Sequence, residues 1–131
     1  MKVYTSYFGN AKKLKDANIE ILCVAIGKPK FLQCPQLYNL CPTRYMLSEA
    51  CSHEKYLKLY DEILNKQNPY EVIKQLERIG NGKDVALCCY EKPGDFCHRH
   101  ILAKWLSENT GMIIEEYGVS KEPKYTQCSL F

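Results

Sequence analysis

The sequence predicts an α/β fold: a small parallel, Rossmann-like sheet of about four strands flanked by helices. Short apolar segments rich in β-branched residues alternate with segments of helical periodicity, an order typical of right-handed βαβ units. The segment Ile19–Ile26 is almost continuously apolar, as expected for a strand that is covered on both faces. The length of 131 residues fits one such domain with a single core.

Four segments have the short length and apolar composition of strands, and each is followed by glycine, proline or asparagine. They are Val3–Phe8, Ile19–Ile26, Asp84–Tyr90 and Met112–Tyr117. Because the third is as apolar as the second, we expect it to be buried in the same way.

Three segments carry apolar residues at helical spacing after a residue that suits an N-cap. The predicted helices follow Ser52 to about Lys66, Asn68 to Gly80, and Asp95 to about Asn109. Tyr56 and Tyr60 lie at helical spacing and are interpreted as core residues rather than as groups that stack on a base. The connection 28–50 is long for so small a domain, which is typical of a lid or a binding loop.

Composition and charge limit the class of protein. Hydrophobic residues make up 46% of the chain, which rules out a disordered chain. The net charge of +3 is too small to indicate tight duplex binding but favours an anionic partner. No apolar run is long enough for a signal peptide or a membrane span, so we expect a cytoplasmic protein without a membrane partner. We expect residues 1–118 to form the domain and residues 119–131 an extended polar tail.

The strongest candidate site lies between the third strand and the helix that follows it. Cys89 and Glu91 stand at the end of the strand, and Cys97, His98 and Arg99 stand in the first turn of the predicted helix. In open parallel sheets, ligands bind at the carboxyl ends of the strands, where the following helices begin. A thiol, an imidazole, a carboxylate and a guanidinium at that place form a plausible set of catalytic groups.

Each of these groups has a chemical role open to it there. The first turn of a helix favours an anion and lowers the pKa of a thiol, so Cys97 is a candidate nucleophile or thiolate ligand. His98 is in register with the apolar stripe of its helix and should face the sheet edge, where Glu91 can orient it or exchange a proton. Cys89 is the fourth catalytic candidate. Taken singly, such residues are more often structural; their clustering favours a working site.

The candidates for binding a phosphate or another anion are Arg99, Ser6 and Arg44. Arg99 offers a fork of donors that suits a phosphate or carboxylate. Arg44 lies on the long loop with Lys28 and Lys30, and these charges are equally interpretable as solvated. No Cys-x-x-Cys pair occurs among the eight cysteines, so the sequence predicts no metal and no cofactor. Metal binding by Cys89, Cys97 and His98 is a less favoured alternative, because these residues lack a familiar ligand spacing.

The central motif resembles that of the domain-of-unknown-function 488 family, a Cys-x-Glu followed by Cys-His-Arg. Similar stretches are Val3–Phe8, Ile26–Lys30 and Pro42-Thr43, and the likeness extends to about Tyr117. The residues that match the signature positions are Cys89, Glu91, Cys97, His98 and Arg99. The resemblance implies a compact α/β fold and an intracellular role that involves nucleic acids or nucleotides. The commoner family pattern has Asp-x-Arg after the second strand, where this chain has Ala25-Ile26-Gly27.

The last five residues, 127–131, resemble the peptide by which repair and replication proteins dock on the bacterial sliding clamp, Gln-x-Ser/Asp-Leu-Phe. Leu130 and Phe131 would fill an apolar pocket, while Gln127 and Ser129 match its polar positions. The alternative is that the terminus folds back on the domain. Clamp docking would bring the protein to DNA without any contact to the bases.

Three functions remain open from the sequence. The first is an enzyme acting on a nucleotide or nucleic-acid phosphate in DNA repair, replication or phage-related DNA metabolism, with Cys97, His98, Glu91 and Arg99 as its working groups. The second is a non-catalytic module that binds a nucleotide or nucleic acid. The third is a metal or redox sensor that uses Cys89 and Cys97. The sequence does not decide the reaction, the substrate or the oligomeric state.

Overall fold

A four-stranded parallel sheet forms the centre of the protein, in a computed structural model that describes residues 1–92 and 96–119. The strands are β1 (Val3–Tyr7), β2 (Glu20–Cys23), β3 (Val85–Cys89) and β4 (Ile114–Glu116). Their order across the sheet is β2-β3-β1-β4, and every pairing is parallel. The predicted fold class is confirmed.

Helices cover both faces of the sheet. They are α1 (Ala11–Asp16), α2 (His53–Asn65), α3 (Pro69–Gly80) and α4 (His98–Thr110). The larger core packs α2, α3 and α4 against one face through apolar residues that include Leu22, Leu87 and Leu102. The smaller core packs α1 and part of the long loop against the other face. Tyr56 and Tyr60 are buried in the larger core, as the helical spacing predicted.

Capping explains where the middle helices begin. The Ser52 hydroxyl accepts a hydrogen bond from the Lys55 N–H at 3.1 Å, and the Asn68 side chain accepts one from the Tyr70 N–H at 2.9 Å. Each contact satisfies a backbone donor that has no partner within the helix. Both predicted N-caps are therefore confirmed. At the other end of α3, Asn81 adopts the left-handed conformation at φ 49°.

One helix and two boundaries are the main differences from the prediction. The short helix α1 was not predicted, and β2 ends at Cys23 rather than Ile26, because the Ile26 carbonyl accepts from the Gln36 amide at 2.6 Å rather than from β3. Helix α4 begins at His98 with Cys97 as its N-cap, since Cys97 has an extended backbone and its carbonyl accepts from the His100 N–H. Asp95, the predicted cap, lies outside the described residues.

The long loop is tied to the end of the sheet. The Gln36 amide donates to the carbonyls of Ala25 and Ile26 at 2.8 and 2.6 Å, and the Tyr60 hydroxyl donates to the Leu40 carbonyl at 2.7 Å. These bonds hold the loop against the carboxyl ends of β2 and β3, where it forms one wall of the pocket described below. None of the helices described here is both long and apolar enough to cross a membrane.

Candidate functional site

A pocket of about 90 Å³ opens at the carboxyl ends of β2 and β3. We call it the strand-end pocket, and it is lined by residues 25–27 and 89–91 together with Pro42, Leu47 and His98. A larger hollow of about 300 Å³ lies beside Tyr4 and Ile113, but its lining residues include neither a cysteine nor a histidine. Nucleophilic groups and a cavity therefore coincide at the strand ends, as the α/β topology predicts.

Two cysteines meet at the inner side of this pocket. Cys89 is the last residue of β3, and Cys97 is the N-cap of α4. The structure joins their sulfurs as a disulfide, and their Cα atoms lie 7.6 Å apart. Both residues are buried. The sequence predicted these two residues at one site, as catalytic candidates or, in the alternative, as the cysteines of a metal or redox sensor.

His98 has a fixed orientation between the sheet and the two sulfurs. Its Nε2 lies 2.6 Å from the Val24 carbonyl oxygen, and its Nδ1 lies 3.8 Å from the Cys97 Sγ. A carbonyl only accepts, so Nε2 carries the proton and the lone pair of Nδ1 faces the sulfurs. Burial lowers the pKa of His98 to about 4, which keeps the ring neutral at pH 7. The side chain faces the sheet edge, as its place on the helix predicted.

Arg99 is fully buried, and each of its three side-chain nitrogens donates to a protein atom. Its Nε and Nη2 donate to the two carboxylate oxygens of Glu116 at 3.1 and 3.0 Å. Its Nη1 donates to the Cys89 Sγ at 2.9 Å and to the Glu91 carbonyl at 2.7 Å. The Thr5 hydroxyl donates to the same carboxylate at 2.5 Å. The anionic partner that the structure gives Arg99 is Glu116, and no guanidinium surface is exposed, so phosphate binding by Arg99 stays a prediction that these contacts do not support.

The remaining candidates lie in different surroundings. Glu91 is exposed and lines the pocket, so a ligand can reach its carboxylate. Ser6 is fully buried, and its hydroxyl accepts a hydrogen bond from the Asn10 amide. Arg44 is exposed on the long loop. No hydrogen bond among the described residues links Ser6 or Arg44 to Arg99, so the structure does not bring the three predicted anion-binding residues together.

Sequence reasoning missed the residues that hold Arg99. Glu116 ends β4, which lies beside β1, and the register places Glu116 next to Thr5. An acidic residue at the carboxyl end of a predicted parallel strand, together with an arginine at the start of the preceding helix, is a signal that could have found this pair. Residues 127–131, which carry the predicted clamp-binding peptide, lie outside the described residues.

The fold and the site define a class of protein: a Rossmann-like α/β domain with a cysteine–histidine site at its strand ends. The family model DUF488-N3a, described as the active DUF488-N3 subclade, matches residues 36–110. This match spans more than half of the chain, and the protein belongs to the DUF488 family. No curated protein and no solved structure matches the chain.

Proposed function

We propose that the protein is an enzyme that acts on a nucleotide or on a nucleic-acid phosphate group in DNA metabolism, with its reaction centre at the strand-end pocket. The observation that carries this proposal is the meeting of Cys89, His98 and Glu91 in the lining of one cavity. A sulfur, a neutral imidazole and an exposed carboxylate at the carboxyl ends of parallel strands suit acid–base or nucleophilic chemistry.

The residues divide into reacting groups and a positioning group. Glu91 is the exposed member and is proposed to carry a proton to or from the substrate. Once the disulfide is reduced, Cys89 and Cys97 supply sulfur as nucleophile or as ligand, and the Arg99 donor, 2.9 Å from the Cys89 Sγ, would stabilise a thiolate there. Arg99 is a positioning residue, because its other contacts lock α4 onto β4. The net charge of +3 suits an anionic substrate.

The test uses the reduced full-length protein with a panel of nucleoside mono-, di- and triphosphates and single-stranded oligodeoxynucleotides. Binding is followed by calorimetry and conversion by mass spectrometry. We expect Glu91→Gln to slow conversion by about 10²–10⁴-fold while binding persists, as for loss of a general acid or base. Glu62→Gln is the matched control, since Glu62 is an exposed carboxylate on α2.

Two results would count against this function. If no member of the panel is bound or converted, the substrate class is wrong. If a member binds without being converted, and binding survives Cys97→Ser, then the protein is a binding module rather than an enzyme. In that case, Glu91→Gln would change at most the affinity for the bound nucleotide.

We also propose that residues 127–131 dock the protein on the bacterial sliding clamp, on the strength of the sequence Gln-Cys-Ser-Leu-Phe. A pull-down on immobilised clamp should retain the full chain and lose the chain without these five residues. Phe131→Ala should weaken retention, whereas Cys128→Ala, at the unspecified position of the motif, should not. Equal retention of the full and shortened chains would contradict the docking.

A further inference from the structure

We propose that Cys89, Cys97 and His98, in the reduced protein, bind a divalent transition metal of the zinc type. The ligand atoms that the three side chains offer all lie within 4.8 Å of one another. All three residues are buried, so a bound ion would be largely shielded from bulk water. Two sulfurs and one imidazole favour zinc and similar ions over magnesium or calcium, which prefer oxygen ligands.

The orientation of the imidazole is the first argument. The Nε2–H of His98 is held by the Val24 carbonyl at 2.6 Å, which leaves Nδ1 as the free lone pair. Nδ1 lies 3.8 Å from the Cys97 Sγ, on the side of the sulfur pair. A metal-bound histidine usually donates its other N–H to a carbonyl or a carboxylate, and that contact is already present.

The backbone spacing of the two cysteines is the second argument. Their Cα atoms lie 7.6 Å apart, beyond the usual disulfide range of about 4.4–6.8 Å. Two thiolates at about 2.3 Å from one tetrahedral zinc ion lie about 3.8 Å from each other, which suits a wider backbone spacing. The end of β3 and the start of α4 are therefore spaced for a shared ion.

Charge balance is the third argument. The positive charge of Arg99 is paired with Glu116, and its Nη1 still reaches the Cys89 Sγ at 2.9 Å. A dipositive ion with two thiolates and a neutral imidazole carries no net charge, so the buried centre is balanced. The hydrogen bond to Cys89 is the kind of outer contact that orients a ligand and tunes a metal centre.

Three protein ligands leave a fourth position open, and the strand-end pocket reaches the site through Cys89 and His98. A zinc ion with three protein ligands and one exchangeable position is typical of a reactive centre rather than a closed structural one. The catalytic consequence of this ion rests on the proposed function, whereas the binding of the ion does not. The two are therefore tested separately.

The experiment measures metal in the full-length protein, purified with a phosphine reductant and without chelating steps. Inductively coupled plasma mass spectrometry should find about one zinc ion per chain. Addition of Co²⁺ to the chelator-treated protein should produce a near-ultraviolet thiolate-to-cobalt charge-transfer band. X-ray absorption at the zinc edge of the wild-type protein should show two sulfur neighbours, a result that needs no variant.

Variants locate the site. Cys89→Ser, Cys97→Ser and His98→Gln should each weaken Co²⁺ binding by at least about tenfold, with circular dichroism as the check on folding. Cys51→Ser and His53→Gln are the matched controls and should keep the full metal content, because neither residue belongs to the cluster. Only the Cys89 and Cys97 variants should halve the number of sulfur neighbours.

Absence of zinc and of a cobalt band in reduced, folded protein would overturn the proposal, as would two sulfur neighbours per zinc ion that persist in both the Cys89→Ser and the Cys97→Ser variant. In either case, conversion of a nucleotide that still requires Glu91 would leave the proposed function standing. Conversely, stoichiometric zinc in a protein that neither binds nor converts any nucleotide would uphold the metal site and end the proposed function.

Discussion

The burial of Arg99 depends on contacts with residues that are distant from it in the sequence. A buried guanidinium is costly unless its donors are satisfied, and here its four hydrogen bonds go to Glu116, Cys89 and the Glu91 carbonyl. The sequence identified Arg99 as a site residue from its neighbours, but it suggested a phosphate as the partner. In the structure its partner is Glu116, 17 residues away on β4, a pairing that the residues next to Arg99 do not by themselves specify.

Removal of the Arg99 guanidinium should leave the nearly buried carboxylate of Glu116 without its partner. We expect Arg99→Met to lower the free energy of unfolding by about 3–5 kcal/mol in urea denaturation. Arg78→Met, at an exposed arginine of α3, should change it by less than about 0.5 kcal/mol.

The double-mutant cycle supplies the further check. Glu116→Gln should destabilise the wild-type protein and should cost much less in the Arg99→Met background, since the partner is then already absent. Additive effects would show that the ion pair of Arg99 and Glu116 does not stabilise the fold.

His98 should make the stability of the metal-free, reduced protein depend on pH. Burial lowers the pKa of His98 to about 4, from an ordinary value of 6.5. Between these values the unfolded chain binds a proton that the folded chain does not, so the free energy of unfolding should fall as the pH drops from about 6.5 to about 4. The full loss is roughly 3 kcal/mol.

Urea denaturation at several pH values in this window, with chelator present, measures the effect. His98→Asn should flatten the profile, because the side chain that takes up the proton is gone. A profile equally steep in this variant would assign the pH dependence to other groups.

At the scale of the element, local signals were sufficient for α2 and α3 and located β1, β3 and β4 to within two residues. Ser52 and Asn68 cap their helices as predicted, because capping depends on residues within one turn. The end of β2 and the start of α4 were misplaced by a few residues. The first boundary depends on a contact with the long loop, because the Gln36 amide binds the Ile26 carbonyl. The second lies at Cys97, whose extended backbone caps α4 without a side-chain hydrogen bond, so the residue-type signal for an N-cap is absent there.

At Gly80, the last residue of α3, packing and helix propensity should have opposite effects on the stability of an alanine variant. A Cβ at this position would lie 2.8 Å from the Cγ1 of Val85, a fully buried residue of β3. We expect Gly80→Ala to lower the free energy of unfolding by about 1–3 kcal/mol in urea denaturation, although alanine is the better helix former.

Gly27→Ala is the control for this prediction, since a Cβ there meets nothing within 4 Å. It should leave the stability nearly unchanged. A stabilising effect of Gly80→Ala would mean that β3 shifts freely away from α3.

At the scale of the whole molecule, the alternation of strands and helices predicted the fold class but not the strand order. The order β2-β3-β1-β4 places the last strand beside the first, which brings Thr5 and Glu116 together. The site could be located at the strand ends from the general rule for parallel sheets. The hydrogen bonds within the site depend in addition on the strand order, which the alternation of strands and helices does not specify.

The distribution of thiols over the two cores gives a test of the fold as a whole. Burial raises the pKa of the Cys23, Cys34 and Cys88 thiols and raises that of Cys41 to about 11. We expect iodoacetamide to label Cys51, which is partly exposed, well before these four in the reduced native protein.

Labelling of the four buried thiols should follow global unfolding and rise sharply above the urea midpoint. Peptide mass spectrometry identifies each site. Fast labelling of Cys23 or Cys88 in the native protein would mean that the sheet is not packed on both faces as described.

The pairing of Arg99 with Glu116 has a consequence for biosynthesis. A ribosome delivers β1, β2, β3 and α4 before it delivers β4, so a nascent chain carries this guanidinium without its carboxylate until residue 116 has emerged. Any collapse of the earlier elements must leave that position hydrated during this interval. We therefore expect the burial of Arg99, and with it the alignment of Cys89, to follow the translation of β4.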